Sequence, residues 1–168
     1  MNGSPAQSTG DARCHRIEVM HGVNLDQLGR RDPTLYGTLT LSELQLRVEA
    51  QARELDLATS FFSTNYEGAF VERLHALRDD GTDAILLNPG AWTHYAWAIR
   101  DALEIAALPA VEIHLSDVQQ REPWRRVSVI RDLCFATISG RGADGYRDAL
   151  VALRERLAHP HGHGRDEP

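Results

Sequence analysis

The 168-residue chain carries 18 Lys and Arg against 24 Asp and Glu, a formal net charge of −6, and 42% of its residues are hydrophobic. That length and balance fit one globular domain, and the acidic charge without any Lys/Arg-rich run argues against nucleic acid or an anionic membrane surface as the main partner. No apolar stretch reaches the length of a bilayer span, residues 1–16 lack the apolar centre of a secretory signal, and two cysteines, Cys14 and Cys134, make neither a disulfide framework nor a zinc spacing, so the expected location is the cytoplasm.

In chain order, polar residues 1–12 read as a disordered tail. Ile17 to Val23 reads as a buried strand. Thr40-Leu-Ser-Glu43 has capping-box spacing, and Leu41, Leu44, Val48, Ala52 and Leu55 then fall on one helical face. Ala58 to Ser63 is a second expected strand, followed by a helix with Phe70, Val71, Leu74 and Leu77 inward. Asp83 to Leu87 is a third strand and about Thr93 to Ala106 a helix, with Thr93 placed to cap it. Ala110 to Leu115 and Leu133 to Ile138 complete five strands. Gly145 to about Leu157 is the last helix, with Tyr146, Ala149, Leu150, Leu153 and Leu157 inward. Residues 159–168 read as a second tail. Its His159, His161 and His163 are separated by Pro and Gly, which do not preorganise metal ligands, so no metal site is expected there. Repeated β-α units of this length imply right-handed crossovers. They predict one domain over 13–158, a doubly wound, flavodoxin-like α/β fold with a five-stranded parallel sheet. In such sheets ligands bind beyond the carboxyl ends of the strands.

Polar residues collect after three of those strands. The long segment Asn24 to Gly37 carries Arg30, Arg31 and Tyr36. An arginine beside a tyrosine favours phenolate, which could serve as a general base; alternatively, the arginines pair with Asp26 and Asp32 in an ordinary surface loop. After the third strand, Asn88-Pro-Gly-Ala-Trp-Thr-His94 either turns Asn88 and His94 into one crevice or is a plain helix entry. In the fourth strand, period-two alternation puts Glu112 and His114 on one side. A carboxylate that orients an imidazole suits a catalytic acid, and a satisfied structural pair is the alternative. Arg121 to Arg126 then supplies cations. Gly140-Arg-Gly-Ala-Asp-Gly145 matches a dinucleotide-loop pattern but lacks a following strand to carry a ribose-binding acid, so it reads as a tight turn. No Walker motif or Gly-x-Ser-x-Gly elbow is present.

Taken together, these segments resemble type II 3-dehydroquinate dehydratase, the small dehydroquinase of the shikimate pathway, from about Arg16 to Leu157. The resemblance lies in Asn-Leu-x-x-Leu-Gly-x-Arg-[acid]-Pro-x-x-Tyr-Gly at Asn24 to Gly37, Asn-x-Glu-Gly at Asn65 to Gly68, and Asn-Pro-Gly-Ala-x-Thr-His at Asn88 to His94. It continues through Ile-Arg-Asp-Ala at Ile99 to Ala102, Val-Glu-x-His-x-Ser at Val111 to Ser116, Arg-Glu-Pro-[aromatic]-Arg at Arg121 to Arg125, and Gly-x-Gly-x-x-Gly-Tyr at Gly140 to Tyr146.

The resemblance implies dehydration of 3-dehydroquinate to 3-dehydroshikimate through an enolate, without metal or other cofactor. It makes Tyr36 the base at C2, Arg31 its activator in a lid, Asn24 the holder of a water on the enolate oxygen, and His114, oriented by Glu112, the acid at C1. Asn88, His94 and Arg125 would bind ring hydroxyls, and the Leu115 and Ser116 backbone the carboxylate. Arg121 would be a supporting lid contact. Asp101 would come from a neighbouring subunit of a homo-oligomer, a dodecamer built as a tetramer of trimers. The chain departs from the commonest pattern at Val23 (Pro), Asp26 (Asn), Asp117 (Asn) and Trp124 (Phe), and Asp26 is placed to pair with Arg30 or Arg31. Rival readings are a related lyase acting on another polyhydroxylated cyclic ketone, and a silent ligand-binding protein on the same scaffold.

Overall fold

The computed structural model describes residues 14–159. It contains the strands β1 (His15–His21), β2 (Leu57–Ser63), β3 (Ala84–Asn88), β4 (Ala110–His114) and β5 (Ala136–Ser139). All pair in parallel, in the order β2-β1-β3-β4-β5. The helices are the single turn α1 (Pro33–Tyr36), α2 (Leu41–Glu54), α3 (Glu67–Leu77), α4 (Trp97–Ala106) and α5 (Asp144–Ala158). The doubly wound, five-stranded parallel α/β fold expected from the sequence is the one observed. Both tails lie outside the described residues except His159, whose N–H closes the last turn of α5 on Glu155 O at 3.1 Å. Among the described residues no helix is long and apolar enough to cross a membrane.

The sheet is covered on both faces, which is why its central strands are nearly continuous apolar runs. Alternate residues serve different layers. Ile17, Val19, Ala84, Leu86, Val111 and Ile113 pack with Leu44, Val48 and Ala52 of α2 and with Tyr146, Ala149, Leu150 and Leu153 of α5. Met20, Ile85, Leu87 and Ala110 pack with Phe70, Leu74 and Leu77 of α3 and with Ile99, Ala102 and Leu103 of α4. Each large aliphatic buried in this way contributes roughly 1.5–3 kcal/mol. Glu18 of β1 is a charge among them, 1% exposed, and it accepts from Arg73 Nε at 2.7 Å and from Ser60.

Local chemistry sets the element ends. Thr40 and Glu43 form the expected capping box, with Thr40 N–H donating to Glu43 Oε2 at 2.8 Å and Glu43 N–H to Thr40 Oγ1 at 3.3 Å. The helix expected from Thr93 is instead a 3-10 turn, Gly90–His94, a break, and then α4. Trp92 O accepts from both Tyr95 N and Ala96 N, which closes the turn. The Thr93 hydroxyl is drawn away from any capping role by Glu112. The fifth strand starts three residues later than expected, because Arg131–Leu133 closes a 3-10 turn first.

His21, at the end of β1, is fully buried, and burial lowers its pKa from 6.5 to about 4. A base whose folded pKa is depressed resists the proton that the unfolded chain accepts. Its stability contribution is complete above pH 6.5 and is lost as pH falls towards 4, by roughly 3 kcal/mol. Urea unfolding at pH 7 and pH 4.5 is therefore expected to show a larger acid loss in the wild type than in His21→Gln. Equal losses would contradict the burial argument.

Candidate active site

β1, β3 and β4 end side by side at His21, Asn88 and His114. Beyond them lies a cleft of about 590 Å³, open to solvent. Two glycines let its rims meet. A Cβ on Gly22 would lie 2.3 Å from Pro89 O, and one on Gly90, where φ is +68°, would lie 2.5 Å from Val23 O. The loops after β1 and β3 are thereby pressed together, with Asn24 and Asn88 both on the cleft wall. Asn24 is itself left-handed at φ 66°, a conformation Asn tolerates better than most residues. Its N–H donates to Asn65 Oδ1 at 2.7 Å. That contact gives Asn65, which the sequence placed only in a motif, a part in shaping the cleft.

On one side of the cleft stands Tyr36. Asp32 caps α1 by accepting from Thr34 N–H at 2.9 Å, and Pro33 occupies its first turn. That single turn carries Tyr36 to the cleft. Arg31 Nη2 donates to Tyr36 Oη at 2.7 Å, with its guanidinium carbon 3.7 Å from the ring centroid. Arg121 Nη1 donates to the same oxygen at 3.2 Å and to Ser116 Oγ at 3.3 Å. Arg121 therefore supports the phenol by direct contact. Asp26 accepts from Gln27 Nε2 at 2.7 Å and Asp32 is taken up by Thr34. The surface-loop pairing of these acids with Arg30 and Arg31 is not what the structure shows.

His114 lines the same cleft. Its Nε2 and Glu112 Oε1 are 2.8 Å apart, and because a carboxylate only accepts, Nε2 carries the proton. This leaves Nδ1 as the ring nitrogen able to serve a ligand. Glu112 is fully buried. Burial raises its pKa, but hydrogen bonds from His114, Thr93 and Ser128 outweigh that, and the net direction is downward. Ser128 Oγ lies 2.9 Å from each carboxylate oxygen, and Thr137 Oγ1 adds a longer contact at 3.4 Å. The sequence offered Thr93 only as a helix cap and gave no sign of Ser128 and Thr137, because the three come from separate segments.

His94 Nδ1 donates to Val127 O at 2.7 Å, so its Nε2 is a bare acceptor. Burial lowers its pKa, and His114 and Arg125 add to this against the Val127 carbonyl. Its ring lies nearly parallel to His114 at 6.4 Å and meets the edge of Trp124 at 5.2 Å. The Arg125 guanidinium sits 4.0 Å from the centroid of that same indole, and Arg125 Nε donates to Glu122 at 3.0 Å. Trp124 and Glu122 thus hold two cleft residues, a part the sequence did not assign them, since it marked Trp124 only as a departure and Glu122 only within a motif. The cleft also receives Leu115 and Ser116. Asp101 does not reach it; it lies exposed on α4. Among the described residues no three His, Cys, Asp or Glu side chains gather as a metal site.

The arrangement puts a phenol flanked by two guanidinium groups and a carboxylate-bound imidazole on the lining of one cleft. It can take a proton at one group and give one at the other. Residues 15–154 match the family model for class II dehydroquinase. The chain is 45% identical over 142 residues to a 3-dehydroquinate dehydratase of Pelobacter propionicus, which covers 84% of this chain and 95% of that protein. It is 47% identical over 135 residues to the one of Bordetella pertussis, covering 80% and 94%. It superimposes on the crystal structure of type II dehydroquinase from Propionibacterium acnes with a TM-score of 0.80 at 39% identity, covering 83% and 96%.

Proposed function

The chain belongs to the class II dehydroquinase family and is an enzyme that dehydrates 3-dehydroquinate, and from that premise we propose a two-step mechanism with Tyr36 as base and His114 as acid. Tyr36 removes a proton from C2, which the neighbouring ketone acidifies. Arg31 and Arg121 both donate to the phenol oxygen. The resulting enolate oxygen is stabilised by a water held at Asn24. His114 then protonates the C1 hydroxyl, which leaves as water, and the enolate collapses to the conjugated enone. Glu112 keeps the imidazole oriented. One proton is taken and one is given, so the site resets by exchange with solvent. His94 Nε2, Asn88 and Arg125 hold ring hydroxyls, and the amides of Leu115 and Ser116 hold the carboxylate. The reading rests above all on one observation: Tyr36, with Arg31 and Arg121 on its oxygen, and His114, with Glu112 on its ring, line a single cleft.

The direct test mixes purified protein with 3-dehydroquinate and follows ultraviolet absorbance of the enone. Turnover is expected without added nucleotide and after exhaustive chelation. Loss with EDTA and recovery with a divalent ion would sink the cofactor-free mechanism.

Asp101 belongs to this proposal as a contribution from a second copy. It is flanked one turn away on each side by Trp97 and Ile105, which are 63% and 49% exposed. Residues 97, 101 and 105 share one helix face, and an exposed apolar stripe of this kind marks an interface. The oligomer proposed is the trimer-based dodecamer. Asp101→Ala is expected to cut kcat/KM at least about tenfold, as loss of one charged contact does. Sedimentation should find the wild type assembled; a fully active monomer would end the shared-site idea.

A further inference from the structure

We propose that the buried His21–Tyr146 pair is a positioning device for Asn88, and that the glycine-rich turn before α5 serves to seat Tyr146 in it. The inference rests on the reading of Asn88 as a substrate-binding residue. The mechanism above uses neither His21 nor Tyr146, yet both are 0% exposed. His21 Nε2 lies 3.0 Å from Tyr146 Oη, while its Nδ1 has no partner. A histidine and a tyrosine hydroxyl shut away from water are costly unless they are used, and a phenylalanine and a leucine would fill the same space. Burial pushes the Tyr146 phenol up and the His21 imidazole down, so both stay neutral and act only through hydrogen bonds.

Position ties the pair to the cleft. His21 and Asn88 are paired neighbours on β1 and β3, and Gly22 N–H donates to Asn88 O at 2.8 Å just beyond. A phenol hydroxyl can donate once and also accept. His21 takes one of these functions, and the Asn88 side chain lies beside the same hydroxyl, where it counters the upward push of burial on the phenol. Asn88 Oδ1 meanwhile accepts from Gly90 N–H at 3.2 Å. With its oxygen held by Gly90, the amide is locked against flipping and presents its NH₂ to the remaining neighbours, the Tyr146 oxygen and the cleft. Asn88 is thereby a fixed donor towards a substrate hydroxyl.

The turn is built for this. A Cβ on Gly145 would lie 3.2 Å from Ile138 Cγ2 and 3.3 Å from Ile113 Cδ1. Glycine there lets α5 press onto β4 and β5 and carries the next residue, Tyr146, under the sheet to His21. A glycine pattern that suggests a phosphate loop is here a packing device.

The test is steady-state kinetics on full-length Tyr146→Phe, His21→Leu, His21→Gln, Asn88→Ala and the Tyr146→Phe/Asn88→Ala double variant, with thermal unfolding of each. Asn88→Ala is expected to raise KM at least about tenfold. Tyr146→Phe and His21→Leu should raise KM about three- to tenfold with kcat within about twofold, as loss of a uniform binding contact does. His21→Gln, whose amide oxygen can accept from the Tyr146 hydroxyl in place of Nε2, should keep KM near the wild-type value. The double variant should have the KM of Asn88→Ala alone, because the pair acts only through that residue. A lowered Tm with unchanged KM in Tyr146→Phe, multiplying KM effects in the double variant, or equal KM in the two His21 variants would overturn the positioning role while leaving Asn88 in place. An unchanged KM in Asn88→Ala would remove Asn88 from substrate binding and this inference with it.

Discussion

Tyr36→Phe is expected to lower kcat by about 10²–10⁴-fold, the usual worth of a positioned general base, and to abolish exchange of the C2 proton. The substitution keeps the ring on which the Arg31 guanidinium rests 3.7 Å from the centroid and deletes only the oxygen to which Arg31 and Arg121 donate. KM should therefore change far less than kcat. The measurement is proton NMR of unreacted 3-dehydroquinate in deuterated water, alongside enone formation. Tyr36→Phe exchanging at the wild-type rate would mean that another group is the base. Arg31→Ala should fall between wild type and Tyr36→Phe, since Arg121 still reaches the phenol oxygen at 3.2 Å.

His114→Ala is expected to slow enone formation by a similar 10²–10⁴-fold and yet to leave C2 exchange running. In the proposed mechanism, proton removal falls to Tyr36 and loss of water at C1 to His114. Without the acid, the enolate can still form and take deuterium back from solvent. Recovered substrate should thus gain one deuterium at C2 while product stays scarce. Glu112 loses its His114 partner in this variant but keeps Thr93 and Ser128, so the fold should survive, which circular dichroism checks. A folded His114→Ala protein without exchange would reject the separation of base and acid.

The sites of these two predictions were legible to different degrees in the sequence. Glu112 and His114 are two residues apart on one strand, so strand periodicity alone places them on the same side, and they meet at 2.8 Å. Tyr36 and Arg31 share one short segment, and their contact follows from a single helical turn capped by Asp32. Arg121, 85 residues from Tyr36 in the chain, could be known only as a nearby cation in a loop. That it touches the phenol follows from how the segment after β4 folds back over α1. Thr93, Ser128 and Thr137 converge on Glu112 for the same kind of reason, and hydroxyl residues in loops carry no periodic signal.

The sequence by itself determined the parallel α/β fold, the faces of its helices, and the strand ends at which polar residues gather. These depend on local periodicity, capping and turn chemistry, in which near neighbours along the chain decide the outcome. Only the tertiary structure decided that two arginines share one tyrosine oxygen, that Thr93 serves Glu112 rather than a helix cap, and that the Gly140–Gly145 turn seats Tyr146 against His21. Those contacts join segments dozens of residues apart at hydrogen-bonding distance. Whether such segments meet depends on how the loops close over the ends of the sheet, and no local pattern in the chain records that.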